Sequence, residues 1–167
     1  MLKRILCATL ASGALVLSGS AAAQELKIAL IAGKTGPLEA YAKDTEKGFM
    51  LGLEYLTNGT MALNGRKIRV IVKDDQLKPD LGKAMLAEAY ADDKVDIAVG
   101  TTSSGVALAM LPVAEEYKKV LIVEPAVADA ITGDKWNRYI FRTGRNSAQD
   151  GLASAATLKS GGSVAYL

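Results

Sequence analysis

Short apolar runs along the chain alternate with longer stretches in which apolar residues recur every three or four positions. Leu26 to Ile31 (L-K-I-A-L-I) reads as a strand buried on both faces. Gly33 to Pro37 forms a turn, and Pro37 suits the first turn of a helix. That helix is expected to run to about Thr57, with Tyr41, Thr45, Phe49, Leu53 and Leu56 facing inward. Gly48 and Gly52 would allow close approach, and Asn58-Gly59 would end the helix. Asn64-Gly65 turns the chain into a second strand, Lys67–Lys73, closed by Asp74-Asp75. Pro79 opens a second helix through about Ala91.

The stretch that follows organises the chain. Val95 to Val99 is an apolar strand broken by Gly100, and Thr101, Thr102, Ser103 and Ser104 then place four hydroxyls ahead of a helix. Val106, Ala109, Met110, Val113, Ala114 and Tyr117 mark one face of that helix. One cap needs one hydroxyl, and four stand here. The turn reads either as an N-cap or as a carboxylate site built from helix N–H groups and hydroxyls. Val120 to Val123 is a fourth strand, Pro125 to Gly133 a turn and short helix, and Tyr139-Ile140-Phe141 a brief strand. Ser147 is expected to cap a helix reaching about Lys159, with Gly161-Gly162 ending it. Strand and helix alternate throughout, with crossovers long enough for parallel pairing. The expected fold is α/β, a doubly wound parallel sheet, which binds ligands at the carboxyl ends of its strands. Ser163 to Leu167 starts another strand and the chain stops there, which favours a fragment over a last strand that pairs elsewhere.

Residues 1–23 change the picture of what folds. Lys3 and Arg4 precede an apolar run, Ile5 to Leu17, too short to span a bilayer, and Ala21-Ala22-Ala23 suits cleavage. This reads as a secretory signal peptide, in preference to a short membrane anchor. Cys7 lies near the start of the apolar run, where a lipidated cysteine would not. Removing 23 of 167 residues leaves 144, enough for one domain. The leader holds two of the 20 basic residues and none of the 18 acidic ones, so 18 of each remain and the mature chain is formally neutral. Nothing in that balance points to nucleic acid or an anionic membrane as the main partner. The mature chain has neither Cys nor His, which removes disulfide support and the commonest general base and metal ligand.

Other motifs are weak. Gly33-Lys34-Thr35 ends like a phosphate loop, but Ile28 stands where the opening Gly belongs. Gly100 to Gly105 is neither a nucleophile elbow nor a dinucleotide loop, and a Ser–Lys hydrolase is the remaining enzymatic reading. Asp74-Asp75 reads as a solvated turn in preference to a divalent cation site. Asn58-Gly59-Thr60 matches a glycosylation acceptor, and Arg66-Lys67 and Lys118-Lys119 read as solvated surface. Tyr41 is either a core residue or a ligand-facing aromatic across from Ser103 and Ser104. Glu124, ending an apolar strand, needs a partner: Arg142, Arg145 or a ligand group.

The segments G-P-L-E-A-Y, V-G-T-T-S-S-G-V-A-L, P-V-A-E-E, A-V-A-D-A-I-T-G and Y-I-F-R-T-G-R-N-S-A-Q-D, in this order, carry a resemblance over essentially all of the mature chain. It resembles the first lobe of a type I periplasmic binding protein, in the branched-chain amino acid binding family of ABC importers. The resemblance implies a signal peptide at 1–23, an N-terminal ligand-binding lobe at 24–162 and, at 163–167, the start of the crossover to a second lobe. It implies a carboxylate ligand held by Ser103 and Ser104, with Thr102 in the same turn and Pro125, Ala126 and Val127 from the loop after the fourth strand. Tyr41 matches a position lining the side-chain pocket. It further implies no catalytic residues, metal or cofactor, a monomer in the periplasm, and delivery of the ligand to permease subunits in the inner membrane. A ligand-sensing regulator or receptor of the same fold is the other reading.

Two departures matter within that resemblance. Amino-acid binders commonly carry Thr where this chain has Val127, and an apolar residue or Pro where it has Glu124. Relatives with this pattern resemble importers of aromatic carboxylic acids, so the ligand is a branched-chain amino acid or an aromatic acid. Leu77 and Ser103 stand where some relatives carry a disulfide.

Overall fold

A computed structural model describes residues 24–158. The expected leader at 1–23, the Gly161-Gly162 stop and the strand at 163–167 lie outside the described residues. Six strands, β1 (Leu26–Ala32), β2 (Ala62–Leu63), β3 (Arg66–Asp74), β4 (Ile97–Gly100), β5 (Val120–Val123) and β6 (Ile140–Arg142), form one sheet in the order β2-β3-β1-β4-β5-β6. β1 pairs in parallel with β3 and β4, and β4–β5 and β5–β6 are parallel too. The doubly wound α/β expectation holds. β2 was not expected. It is an antiparallel edge strand joined to β3 through Asn64 and Gly65 at φ 49° and 77°, the paired left-handed backbone of a tight hairpin turn.

Helices α2 (Pro79–Ala91) and α3 (Ser104–Tyr117) pack on one face of the sheet. Between them and the strands lies the main core, including Ile31, Leu86, Met110, Leu111, Leu121, Ile131 and Ile140. Burying each such side chain contributes about 1.5–3 kcal/mol. Gly82 lets α2 approach α3, because a Cβ there would sit 2.2 Å from Val106. Tyr90 reaches through this core to donate its hydroxyl to the Val120 carbonyl at 2.9 Å.

The opposite face is thinly covered. Helix α1 (Glu39–Leu56) lies over a small cluster of Ile28, Leu30 and Val99, with Phe49 packed against it. Its buried residue is Ala42, and Thr45, Phe49 and Leu53 are half-buried. Tyr41 and Leu56, expected inward, are exposed, and a Cβ on Gly48 or Gly52 would meet nothing within 4 Å. The inward stripe is therefore narrower than the apolar periodicity suggested. Pro37 lies two residues before α1 rather than in its first turn. An apolar groove of about 350 Å³ remains between α1 and the sheet, lined by Phe49, Val99, Ile122 and Glu124 among others.

Helix α4 (Ser147–Leu158) follows β6 and has no buried residue among those described. Its cap is Asn146 rather than Ser147. The Asn146 Oδ1 accepts the Gln149 N–H, and the Gln149 Oε1 accepts the Asn146 N–H, each at 2.9 Å, a reciprocal capping pair. The Ser147 hydroxyl instead donates to the Val127 carbonyl.

Candidate ligand-binding site

Parallel pairing brings the carboxyl ends of β1, β3, β4 and β5 to one edge, where the N-terminus of α3 also opens. Gly100 makes that edge possible. Its φ is +144°, and a Cβ there would stand 2.0 Å from the Ile31 carbonyl oxygen, so only glycine lets β4 end this close to β1. Thr101 is fully buried, donates its hydroxyl to the Asp75 carboxylate, and accepts the Ala126 N–H on its carbonyl at 3.2 Å. The Thr102 hydroxyl accepts the Gly33 N–H at 3.1 Å.

Ser103 occupies the N-cap position of α3, but its side chain makes no capping bond. The Ala107 N–H bonds back to the Ser103 carbonyl at 2.9 Å, so the amides before it have no partner inside the helix. Ser104 Oγ accepts the Val127 N–H at 3.2 Å and the Ala128 N–H at 3.1 Å. A hydroxyl has two acceptor lone pairs and one donor proton. With both lone pairs engaged, the proton is what Ser104 can offer a ligand.

A pocket of about 180 Å³ at this edge is lined by Leu38, Tyr41, Thr102, Pro125, Val127 and Arg145. Four of the residues singled out from sequence, Tyr41, Thr102, Pro125 and Val127, thus share one pocket. Tyr41 is 63% exposed and is not the core residue that its spacing equally allowed. Ser104 is absent from that lining and is tied to it through its bond to Val127. Ala126 lies buried behind the wall with its N–H on Thr101, and Ser103 is half-buried and absent from the lining. The Ala126 and Val127 amides are engaged within the protein and Pro125 has none, so this loop offers carbonyls and shape rather than N–H donors. Leu38 and Arg145 were missed. Both sit inside segments that carried the family resemblance, but nothing in their spacing aimed them at the pocket. Arg145 Nε pairs with Asp150 at 2.6 Å.

Two carboxyl assignments change. Glu124 pairs with neither Arg142 nor Arg145. It accepts the Thr143 hydroxyl at 2.6 Å, while Arg142 turns to the Ala128 carbonyl and the Thr132 hydroxyl. Asp74-Asp75 is not a solvated pair, because Asp75 is fully buried. Burial pushes the Asp75 carboxyl above the ordinary carboxylate range, against the opposing bonds from the Thr101 hydroxyl and the Leu77 N–H. For Asp74 burial also pushes upward, but N–H groups of Gln76 and Lys34 and the Thr35 hydroxyl hold it below that range.

A family model described as periplasmic binding protein matches residues 25–167. The chain belongs to the periplasmic binding protein family.

This periplasmic binding protein sequence is 76% identical to a solved ABC-type branched-chain amino acid transporter from Rhodopseudomonas palustris. That match has a TM-score of 0.75 and covers 77% of this chain and 34% of that one. A solute binding protein of an ABC transporter from Rhodopseudomonas palustris BisB5, solved in complex with 3,4-dihydroxy benzoic acid, is 31% identical. Its TM-score is 0.73, over 83% of this chain and 37% of that one. The Leu/Ile/Val-binding protein BraC3 of Rhizobium johnstonii is 27% identical over 135 residues, 81% of this chain and 36% of its own length. The chain therefore spans about a third of the length of the relatives it matches.

Proposed function

We propose that residues 24–162 form the N-terminal lobe of a periplasmic solute-binding subunit, exported behind the 23-residue leader, that captures a small carboxylate for an ABC permease. Residues 163–167 then open the crossover to a second lobe, and exposed Leu152 and Leu158 on α4 are surface that further chain would cover. What supports this reading is that Tyr41, Thr102 and Val127 line one pocket, with Ser104 bonded to Val127 and the first-turn amides of α3 without partners inside the helix. A helix N-terminus attracts an anion, the hydroxyl donates to one carboxylate oxygen, and the ring covers the ligand's apolar body. The protein works by binding and release, with no reaction to catalyse.

An aromatic acid is the preferred ligand. The pocket lining contains no acidic side chain, and its one cationic side chain is Arg145. Val127 offers an α-ammonium no side-chain hydroxyl. The relative bound to 3,4-dihydroxy benzoic acid supports this choice. A branched-chain amino acid is the second reading, favoured by the description of the 76% identical structure. A thermal-shift panel on the complete protein, setting leucine and valine against benzoate, 4-hydroxybenzoate and phenylpropenoid acids, separates the two. Stabilisation by none of them would refute carboxylate capture. Genes for a permease and an ATPase beside this one would separate an importer from a sensor of the same fold.

A further inference from the structure

Asp75 is a buried carboxylate that carboxylate capture leaves without a task. We propose that Asp75 positions the hydroxyl turn from behind and makes anion capture proton-linked, an inference that rests on the carboxylate-binding reading above.

The geometry is a relay across strand ends. The Asp75 N–H donates to the Ala32 carbonyl at the end of β1, at 3.1 Å. Oδ1 accepts the Leu77 N–H at 2.8 Å, and Oδ2 accepts the Thr101 hydroxyl. Thr101 in turn holds the Ala126 N–H, and the next residue, Thr102, lines the pocket. Asp75 therefore ties the end of β3 to β1 through its N–H and to the hydroxyl turn through its side chain.

Among the described residues no cation answers its charge. From its own turn Asp74 adds a like charge, and the Lys78 ammonium goes to Gln76. From the β1–α1 loop, Lys34 is paired with Glu46 at 2.8 Å. On α2, Gly82 lies beside Asp75, with Val106 and Met110 of α3 on the far side of that glycine, all uncharged, and Thr101 follows β4. A ligand carboxylate at Thr102–Ser104 brings a second anion to the strand edge behind which Asp75 is buried. Like charges favour the protonated form of one of them, so binding takes up a proton at Asp75.

Protonation need not dismantle the turn. A neutral Asp75 donates its Oδ2–H to Thr101 Oγ1 and still accepts from Leu77, because a threonine hydroxyl accepts as readily as it donates. Asp75→Asn presents the same pattern without charge. Asp75→Ala presents neither.

The test is calorimetry of benzoate binding to the complete protein, between pH 5.5 and 8, in buffers of different ionisation enthalpy. The wild type should take up protons and bind more tightly as pH falls, about tenfold for one unit of coupling. D75N should bind at least as tightly at pH 8, with no proton uptake and a flat profile, and D75A should weaken binding about tenfold. Binding without proton uptake by the wild type, or a wild-type pH profile in D75N, overturns the linkage. Wild-type affinity in D75A overturns the positioning. Thr101→Val, which removes the partner hydroxyl and keeps the shape, replaces D75A if that variant does not fold. If the wild type binds no carboxylate, the functional reading fails and the linkage with it. Positioning is then read from amide exchange at Ala126, which D75A or T101V should accelerate and D75N should not, and unchanged exchange overturns it.

Discussion

Replacing Ser104 by Ala removes an oxygen with two duties, one observed and one proposed. The observed duty is to accept the Val127 and Ala128 N–H groups at 3.2 and 3.1 Å, both part-buried. A buried donor left without its acceptor costs about 1–3 kcal/mol, and because both donors are only part-buried S104A should lower stability by about that much for the pair. The proposed duty is to donate the remaining proton to the ligand carboxylate. A hydrogen bond to a charged group contributes about 1.5–3 kcal/mol, which weakens binding roughly 10- to 150-fold at about 1.4 kcal/mol per decade. The two duties are measured apart, by urea unfolding without ligand and by calorimetry with it at a temperature where the variant is folded. Lys118→Ala is the control, since Lys118 is exposed at the far end of α3. Equal affinities for S104A and K118A would show that the hydroxyl only holds the loop. A loss of stability with unchanged affinity would refute the donor role in the same way.

The 167-residue chain alone should bind benzoate or leucine with millimolar affinity or not at all. Micromolar binding needs about 8 kcal/mol, and one wall must also offset the lost freedom of the ligand; micromolar affinity by calorimetry contradicts this. Gly100→Ala should destabilise the fold by at least about 2 kcal/mol in urea, because φ +144° and the Ile31 carbonyl at 2.0 Å leave no place for a Cβ. Tyr90→Phe should cost about 0.5–1.5 kcal/mol by losing the donor to the Val120 carbonyl, and an unchanged urea midpoint would refute it. The adjacent carboxyls should give opposite pH dependences of stability. Asp75, raised on folding by burial, favours the fold below its unfolded pKa and loses that as pH rises through its folded one. Asp74, lowered on folding, favours the fold above its unfolded pKa and loses that as pH falls through its folded one. D75N and D74N should therefore change the slope of stability against pH with opposite signs, and matching slopes would refute the assignment.

The sheet was legible because β1, β4 and β5 hold short apolar runs, and β3 alternates Ile68, Val70 and Val72 with other residues. β2 was not, because two residues carry no periodicity and only the Asn64-Gly65 turn hints at a partner strand. The face of α1 was misread for a different reason. Tyr41, Leu51, Tyr55 and Leu56 are apolar and exposed, and apolar periodicity records which surfaces are greasy, not what covers them among residues 24–158. Asp74 and Asp75 are indistinguishable in sequence. The difference arises in space, where Asp75 turns under Thr101 and Asp74 turns out to the amides of Lys34 and Gln76.

The structure narrows what four hydroxyls at Thr101–Ser104 imply. Four hydroxyls seemed more than a cap requires, and the surplus suggested an anion. Three of them hold the fold: Thr101 on Asp75, Thr102 under Gly33, and Ser104 under Val127 and Ala128. These bonds tie the loops after β1, β3 and β5 to one turn. The surplus is therefore largely scaffolding. What the proposed reading leaves for an anion is narrower: the first-turn amides of α3 and the Ser104 proton, with the Ser103 hydroxyl outside the pocket lining but engaged in no cap. Such a site is stiff because its oxygens are fixed by strand ends rather than by solvent. On the proposed reading, a carboxylate arriving there would find donors already oriented, which lowers the ordering that binding would otherwise require.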